Sequence, residues 1–226
     1  MIKAAFFDFD GLILDTESAL YGAWERVYAR FGVALPLPLW AANIGGYSYE
    51  TFHPLDHLES LLGRPVDREG INSERRAWYR AHIKKQPPMP GVVETLAEAR
   101  GLGLRLAVVS SSERSWVAGH LERLGLLDNF EFVLCGDEVA RVKPDPELYL
   151  AAIARMNLAP EQILALEDSP KGVAAAKAAR LYCVAAPNPV TESLELGAAD
   201  RRIDSLASIP FGRLVRETEE HMSREV

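Results

Sequence analysis

Residues 4–17 read Ala4-Ala5-Phe6-Phe7-Asp8-Phe9-Asp10-Gly11-Leu12-Ile13-Leu14-Asp15-Thr16-Glu17, a short apolar run, two aspartates one residue apart and then a glycine. The segment 2–9 is apolar on both faces except at Lys3 and Asp8, the pattern of a parallel strand covered by helices on each side. Charge at the C-terminal end of such a strand needs a reason. Side chains at i and i+2 of a strand point the same way, so Asp8 and Asp10 converge just beyond its end. Two carboxylates that close repel unless a cation or proton stands between them, and an all-oxygen site suits Mg²⁺. Gly11 lets the backbone turn sharply beside a ligand. The plain alternative is a polar loop in which Asp10-Gly11 makes an ordinary turn, although buried acids are rarely tolerated unpaired. A calcium loop is a second alternative. With Gly11 at its sixth position Glu17 falls at the twelfth, but Phe6 then occupies the place of the first aspartate.

The rest of the chain sets bounds on this reading. Its 226 residues, 48% hydrophobic and 25% charged, suffice for one sizeable core and a smaller accessory domain. A net charge of −7 with no compensating basic run argues against a nucleic-acid surface, so an anionic substrate needs a locally positive site. Cys135 and Cys183 both lie in apolar runs and read as small buried hydrophobes in a reducing compartment. The chain starts directly on the first strand, with no signal peptide and no apolar stretch of membrane-spanning length, so a cytoplasmic location is expected.

After Asp15, apolar residues at Leu20, Ala23, Trp24, Val27, Tyr28 and Phe31 follow helical spacing, with Asp15 or Thr16 as cap and Gly32 closing the helix. A proline break at Pro36 and Pro38, a glycine loop at Ile44-Gly45-Gly46-Tyr47-Ser48 and helical patterns over 49–62 and 67–85 follow. Pro54 starts or kinks a helix. Residues 16–87 thus read as an all-helical cap inserted into a core made of 1–15 and 88–226, with the prolines at 87–90 as a stiff hinge. From Val92 onward, helices at 92–100, 114–124, 146–156 and 171–179 alternate with strands at 104–109, 132–135, 163–166 and 182–185. That alternation implies an α/β fold, a doubly wound, Rossmann-like parallel sheet whose ligands bind at the C-terminal strand ends.

Those strand ends carry polar groups. The strand 104–109 runs into Ser110-Ser111-Ser112, where hydroxyls and helix-start amides suit a phosphate, while an N-cap role for Ser112 is equally open. Lys143 sits among prolines in Arg141-Val142-Lys143-Pro144-Asp145-Pro146, which argues for a fixed lysine where a lone surface lysine is ordinarily solvated. The strand 163–166 ends in Glu167-Asp168-Ser169-Pro170, again two acids after an apolar run, though Asp168 and Ser169 also suit a helix cap.

Taken in order, Asp8-Phe9-Asp10-Gly11 through Glu17, Ser110, Lys143-Pro144-Asp145-Pro146 and Glu167-Asp168 resemble the four signatures of the haloacid dehalogenase-like superfamily, in its branch of small-molecule phosphatases and phosphoglucomutase-like enzymes. The resemblance spans nearly the whole chain. It implies an Mg²⁺-dependent phosphatase in which Asp8 attacks phosphorus to give an aspartyl-phosphate. Asp10 would protonate the leaving alcohol and then activate water. Ser110, Ser111 and Lys143 would hold the phosphoryl group, and Asp8, Asp10, Asp168 and Glu167 would surround the metal, Glu167 directly or through a bound water.

The same resemblance limits the chemistry. Dehalogenases lack an acid two residues past the nucleophile, so Asp10 favours phosphoryl transfer, and the cap lysine of phosphonate-cleaving relatives is not evident. The alternative is a β-phosphoglucomutase-type mutase, but where such mutases carry a histidine and an arginine in the cap this chain has Leu20 and Tyr49. A non-catalytic metal- or phosphate-binding protein is a third reading, disfavoured because Asp8, Asp10 and Lys143 are intact. Gly45, Gly46, Tyr47 and Ser48 are the expected substrate-contacting cap loop. His53 and His57 share i, i+4 spacing without a third ligand, which argues against zinc. The expected partner is a small phosphate monoester, with no nucleic acid, membrane or obligate protein partner.

Overall fold

The computed structural model describes residues 1–43 and 52–224. Among them a parallel sheet is built from β1 (Ala4–Phe7), β2 (Arg105–Val109), β3 (Phe132–Leu134), β4 (Ile163–Glu167), β5 (Tyr182–Ala185) and β6 (Arg201–Arg202), in the order β3-β2-β1-β4-β5-β6. The chain leaves β1 toward β2 and β3 on one side, then returns to β4 on the other. That reversal at β1 opens a crevice at its C-terminal end, where an open α/β sheet binds its ligand.

Alternation along β1 explains why it is central. Ala4 and Phe6 enter one apolar layer and Ala5 and Phe7 the other, all fully buried. One layer is closed by α7 (Glu147–Met156) and α8 (Pro170–Ala178), through Leu148, Tyr149, Met156 and Val173. The opposite layer is closed by α5 (Val92–Gly101), α6 (Arg114–Leu124) and α9 (Phe211–Arg224), through Leu96, Leu121 and Phe211. Burying each phenylalanine of β1 contributes about 1.5–3 kcal/mol, so the strand that carries the acids is also firmly anchored.

Between β1 and β2 the described chain is helical: α1 (Thr16–Arg30), α2 (Leu37–Ala41), α3 (Pro54–Leu62) and α4 (Arg68–Ile83). These helices share their own apolar cluster, including Trp24, Tyr28, Trp40, Leu55, Leu58 and Ile71, which also takes in Val190 from the loop after β5. Asp15 caps α1 by accepting from the Ser18 N–H at 2.9 Å. Pro54 opens α3, and the His53 ring caps it by accepting from the Leu55 N–H, while His57 pairs with the Tyr28 hydroxyl. The two histidines are thus occupied in helix capping and packing. The chain segments on either side of the helices are tied together by a bond from the Met89 N–H to the Ile13 carbonyl at 2.8 Å.

Several limits differ from the sequence expectation for local reasons. β1 stops at Phe7, short of the expected 9, because the Phe9 carbonyl turns back to accept from the Ile13 and Leu14 N–H groups. β4 continues through Glu167, whose buried carboxylate made it look like loop. β6, two arginines with no apolar run, had no strand signal. The expected helix over 49–62 begins at Pro54 within the described residues. Cys135 and Cys183 are free and buried. No helix among the described residues is long and apolar enough to cross a membrane.

Candidate active site

Asp8 leaves β1 buried, its N–H still bonded to the Leu166 carbonyl at 3.0 Å. Its Oδ1 accepts from Lys143 Nζ at 2.6 Å, and the same ammonium donates to Glu167 Oε1 at 2.7 Å and to the Val109 carbonyl at 2.7 Å. An ammonium has three protons, and all three are placed, so Lys143 is held at one point between β1, β2 and β4. Its stem is buried as well, at 6% exposure. The solvated-lysine reading is therefore excluded.

Glu167 lies at the end of β4, fully buried. Lys143 and the Tyr149 hydroxyl both donate to its Oε1, while Oε2 is buried without a hydrogen-bond partner. Asp168 follows, its Oδ2 accepting from Asn188 Nδ2 at 2.7 Å. Ser169, not Asp168, caps α8 by accepting from the Gly172 N–H at 3.2 Å. Gly11 and Gly172 make room for this packing. A Cβ on Gly11 would stand 2.2 Å from Asp168 Oδ2, and one on Gly172 would stand 1.8 Å from Glu167 Oε2. Gly11 also sits at φ +84°, where an L side chain is strained.

Asp8, Glu167 and Asp168 can each offer an oxygen within 4.8 Å of the others. Three carboxylates face one ammonium, so the buried charge is strongly negative. Its consequence is visible in the proton affinities. Burial, opposed by Lys143 and reinforced by Glu167, pushes Asp8 up to about 7. Burial and the Asp8 and Glu167 charges push Asp168 well above the carboxylate range. Burial and the Asp10 and Asp8 charges push Glu17 up to about 8. Burial alone would lower the Lys143 ammonium, but Asp8 and Glu167 outweigh it and raise it. Hard oxygen donors, excess negative charge and the orphaned Glu167 Oε2 fit a divalent cation such as Mg²⁺.

The carboxylate of Asp10 faces elsewhere. Its Oδ2 accepts from Ser112 Oγ at 2.6 Å and more weakly from Ser110 Oγ at 3.4 Å, and its Oδ1 accepts from Trp116 Nε1 at 3.0 Å. Ser112 therefore serves Asp10 and is not the N-cap of α6, a position held by Glu113. Ser110 is fully buried and also accepts from the Ser112 N–H at 3.1 Å, while Ser111 is exposed. Of the four acids expected around a metal, the structure brings Asp8, Glu167 and Asp168 into one cluster and sets the Asp10 carboxylate beside it. Gly45, Gly46, Tyr47 and Ser48 lie outside the described residues.

Three contributors escaped sequence reasoning. Asn188 stands just past the end of β5, and extending the strand-end search to Pro187-Asn188-Pro189 would have found it. Tyr149 and Trp116 gave only the weaker signal of an aromatic with a polar tip in the first turns of a helix.

A parallel sheet bearing an acid cluster and a buried lysine at its switch point is the arrangement of an α/β protein whose ligand site can hold a cation. The sequence profile of the haloacid dehalogenase-like hydrolases matches residues 5–186, and the chain belongs to that family. The YhcW protein of Bacillus subtilis (strain 168) is 40% identical over 215 residues, 95% of this chain and 97% of that one. The phosphorylated carbohydrates phosphatase of Thermotoga maritima is 32% identical over 187 residues, 81% of this chain and 85% of that one. The crystal structure of CbbY from Rhodobacter sphaeroides in complex with phosphate superposes with a TM-score of 0.65 at 28% identity, over 92% of this chain and 96% of that one. With this company the chain is a phosphoric monoester hydrolase.

Proposed function

We propose that the chain is an Mg²⁺-dependent phosphatase of small phosphorylated metabolites, sugar phosphates or similar monoesters, working through an aspartyl-phosphate on Asp8. The observation that carries this reading is the Asp8 carboxylate fixed at 2.6 Å by a lysine whose every proton is placed, beside Glu167 and Asp168. An Asp8 oxygen forms a bond to phosphorus as the ester P–O bond breaks, and Asp10 gives its proton to the departing alkoxide oxygen. Asp10 then takes a proton from the water that attacks phosphorus, which releases inorganic phosphate and restores Asp8. Ser110 and Ser111 hold the phosphoryl oxygens, and the Lys143 ammonium, its protons placed on Asp8, Glu167 and the Val109 carbonyl, offsets their charge. Asp8, Glu167 and Asp168 are the residues to hold Mg²⁺, which supplies positive charge against the phosphoryl oxygens when bound.

Residues 16–87 act as the cap, with 1–15 and 88–226 as the core. The Met89 to Ile13 bond gathers both crossings into one hinge, which favours movement of the helices as a unit. Hydrolysis is preferred to mutase chemistry because Leu20 packs against the apolar helical cluster and offers no polar group to a sugar. The test is phosphate release from a panel of phosphorylated metabolites, with Mg²⁺ and with chelator, for wild type and Asp8→Asn. Metal-dependent release that vanishes in Asp8→Asn is expected. No release from any ester, with glucose 1-phosphate converted to glucose 6-phosphate, would replace hydrolysis by a mutase reaction.

A further inference from the structure

Asp10 is gripped by a residue that the reaction scheme does not use. Trp116 Nε1 donates to its Oδ1 at 3.0 Å while Ser112 Oγ donates to its Oδ2 at 2.6 Å. Ser112 and Trp116 are four residues apart where the chain enters α6, so one helix end supplies both donors. Donors on two different oxygens fix both the direction and the rotation of the carboxyl group; Oδ2 also takes the longer Ser110 contact at 3.4 Å, while Oδ1 keeps a second lone pair for a substrate or water. An indole N–H can only donate, so this contact has a single polarity and Asp10 is its acceptor.

The indole is itself pinned on two sides. His120, one turn further along α6, meets it edge-on with ring centroids 4.3 Å apart at 70°. Tyr79, from α4 in the helical segment, stacks on it with centroids 5.9 Å apart at 16°. Tyr79, Trp116 and Asp10 thus form an unbroken line of direct contacts from the helices to the acid.

We propose that Trp116 is a positioning residue whose indole N–H sets the orientation of the Asp10 carboxyl for proton transfer, with Tyr79 of the helical segment holding the indole in place. This rests on the reading of Asp10 as acid and base given above. The acid step depends on geometry, since a proton donor acts only within hydrogen-bond reach of the departing oxygen. Docking of the helices against α6 therefore bears directly on the chemistry, in addition to any part they play in enclosing the substrate.

The test exploits the leaving group. An alkyl phosphate needs the Asp10 proton to release its alkoxide, whereas p-nitrophenyl phosphate releases a phenolate that leaves unaided. Because kcat/KM extends only to formation of the aspartyl-phosphate, it excludes the later step in which Asp10 activates water. Trp116→Phe keeps a ring between Tyr79 and His120 but removes the donor. It is expected to lower kcat/KM about 10- to 100-fold for the best alkyl ester of the panel and less than about twofold for p-nitrophenyl phosphate, since small misplacements near the chemistry cost up to that much. Tyr79→Leu should show the same selectivity at smaller size. Equal losses with both esters, or no loss with either, overturn the inference. Should Trp116→Phe fail to fold, Tyr79→Leu decides alone, because the indole N–H is still present. Wild type inactive on both esters would instead defeat the proposed function, and this inference with it. An active wild type with an unchanged ester ratio in the variants defeats this inference only.

Discussion

Replacing Lys143 by methionine keeps the length of an apolar stem and deletes the ammonium that donates to Asp8, Glu167 and the Val109 carbonyl. Asp8 and Glu167 are 7% and 0% exposed, so water cannot take over freely. Removing one partner of a buried pair costs about 3–5 kcal/mol because the remaining charge is stranded. Glu167 retains the Tyr149 hydroxyl, and a carboxylate can take up a proton, so the lower end of that range, about 3 kcal/mol, is expected in chelator. Mg²⁺ should change the comparison. A ligand that binds only the native state stabilises it by about 2.7 kcal/mol at one hundred times its Kd, and without the lysine's charge the acid cluster holds a cation more tightly. Urea unfolding in chelator and at a fixed Mg²⁺ concentration should therefore give Lys143→Met the larger metal-induced gain. Its phosphate release should nevertheless fall by about 10²- to 10³-fold, the usual loss when one group that stabilises transition-state charge is removed. A cost in chelator below about 1 kcal/mol, the scale of a surface ion pair, would refute the argument that this lysine is fully desolvated. A metal-induced gain smaller than that of wild type would refute the placement of the cation beside it.

Asn188 donates to Asp168 and accepts from the Val190 and Thr191 N–H groups, so Asn188→Ala should weaken Mg²⁺ binding about 10- to 100-fold by calorimetry without substrate, and unchanged affinity would exclude a role in orienting Asp168. Gly11→Ala meets both a 2.2 Å contact with Asp168 and a positive φ, and should lower both thermal stability and Mg²⁺ affinity, whereas Gly32→Ala, with φ +72° but open space around it, should lower stability alone. Burial and then the Arg123 charge lower the His120 proton affinity, with Asp10 opposing. The folded state thus prefers neutral His120, so its contribution to stability is complete above the ordinary value of 6.5 and is lost as pH falls through the lower folded value. His120→Gln should flatten the decline of unfolding free energy on the acid side of that value, and an unchanged slope would remove His120 as its source.

What the sequence made legible follows from the range over which each signal acts. β1 and the acids at its exit were readable because a strand buried on both faces admits polar residues only at its ends, and the same rule marked Ser110 and Glu167. Lys143 was readable through the prolines around it, which restrict the backbone locally. The position of the Asp10 carboxyl was not. The i, i+2 rule sends Asp8 and Asp10 the same way only while the chain remains extended, and it ceases to be extended when the Phe9 carbonyl turns back to Ile13 and Leu14. What then captures Asp10 lies 102 and 106 residues further on, at Ser112 and Trp116, and no periodicity within a segment reports a contact of that range.

Asn188 and Trp116 share a property that local reading misses and that ties the two parts of the molecule together. Asn188 holds Asp168 from a loop whose Val190 packs into the apolar cluster of α1 to α4. Trp116 holds Asp10 from a helix whose indole is covered by Tyr79 of α4. An acid of the proposed metal cluster and the proposed proton donor are thus each oriented by a residue in contact with, or one turn from contact with, the helical segment. Displacing those helices would loosen two functional carboxylates while leaving Asp8 fixed by Lys143, which lies wholly within the sheet's own end. The nucleophile is therefore built into the core, and the groups that serve it depend on how the helices are docked.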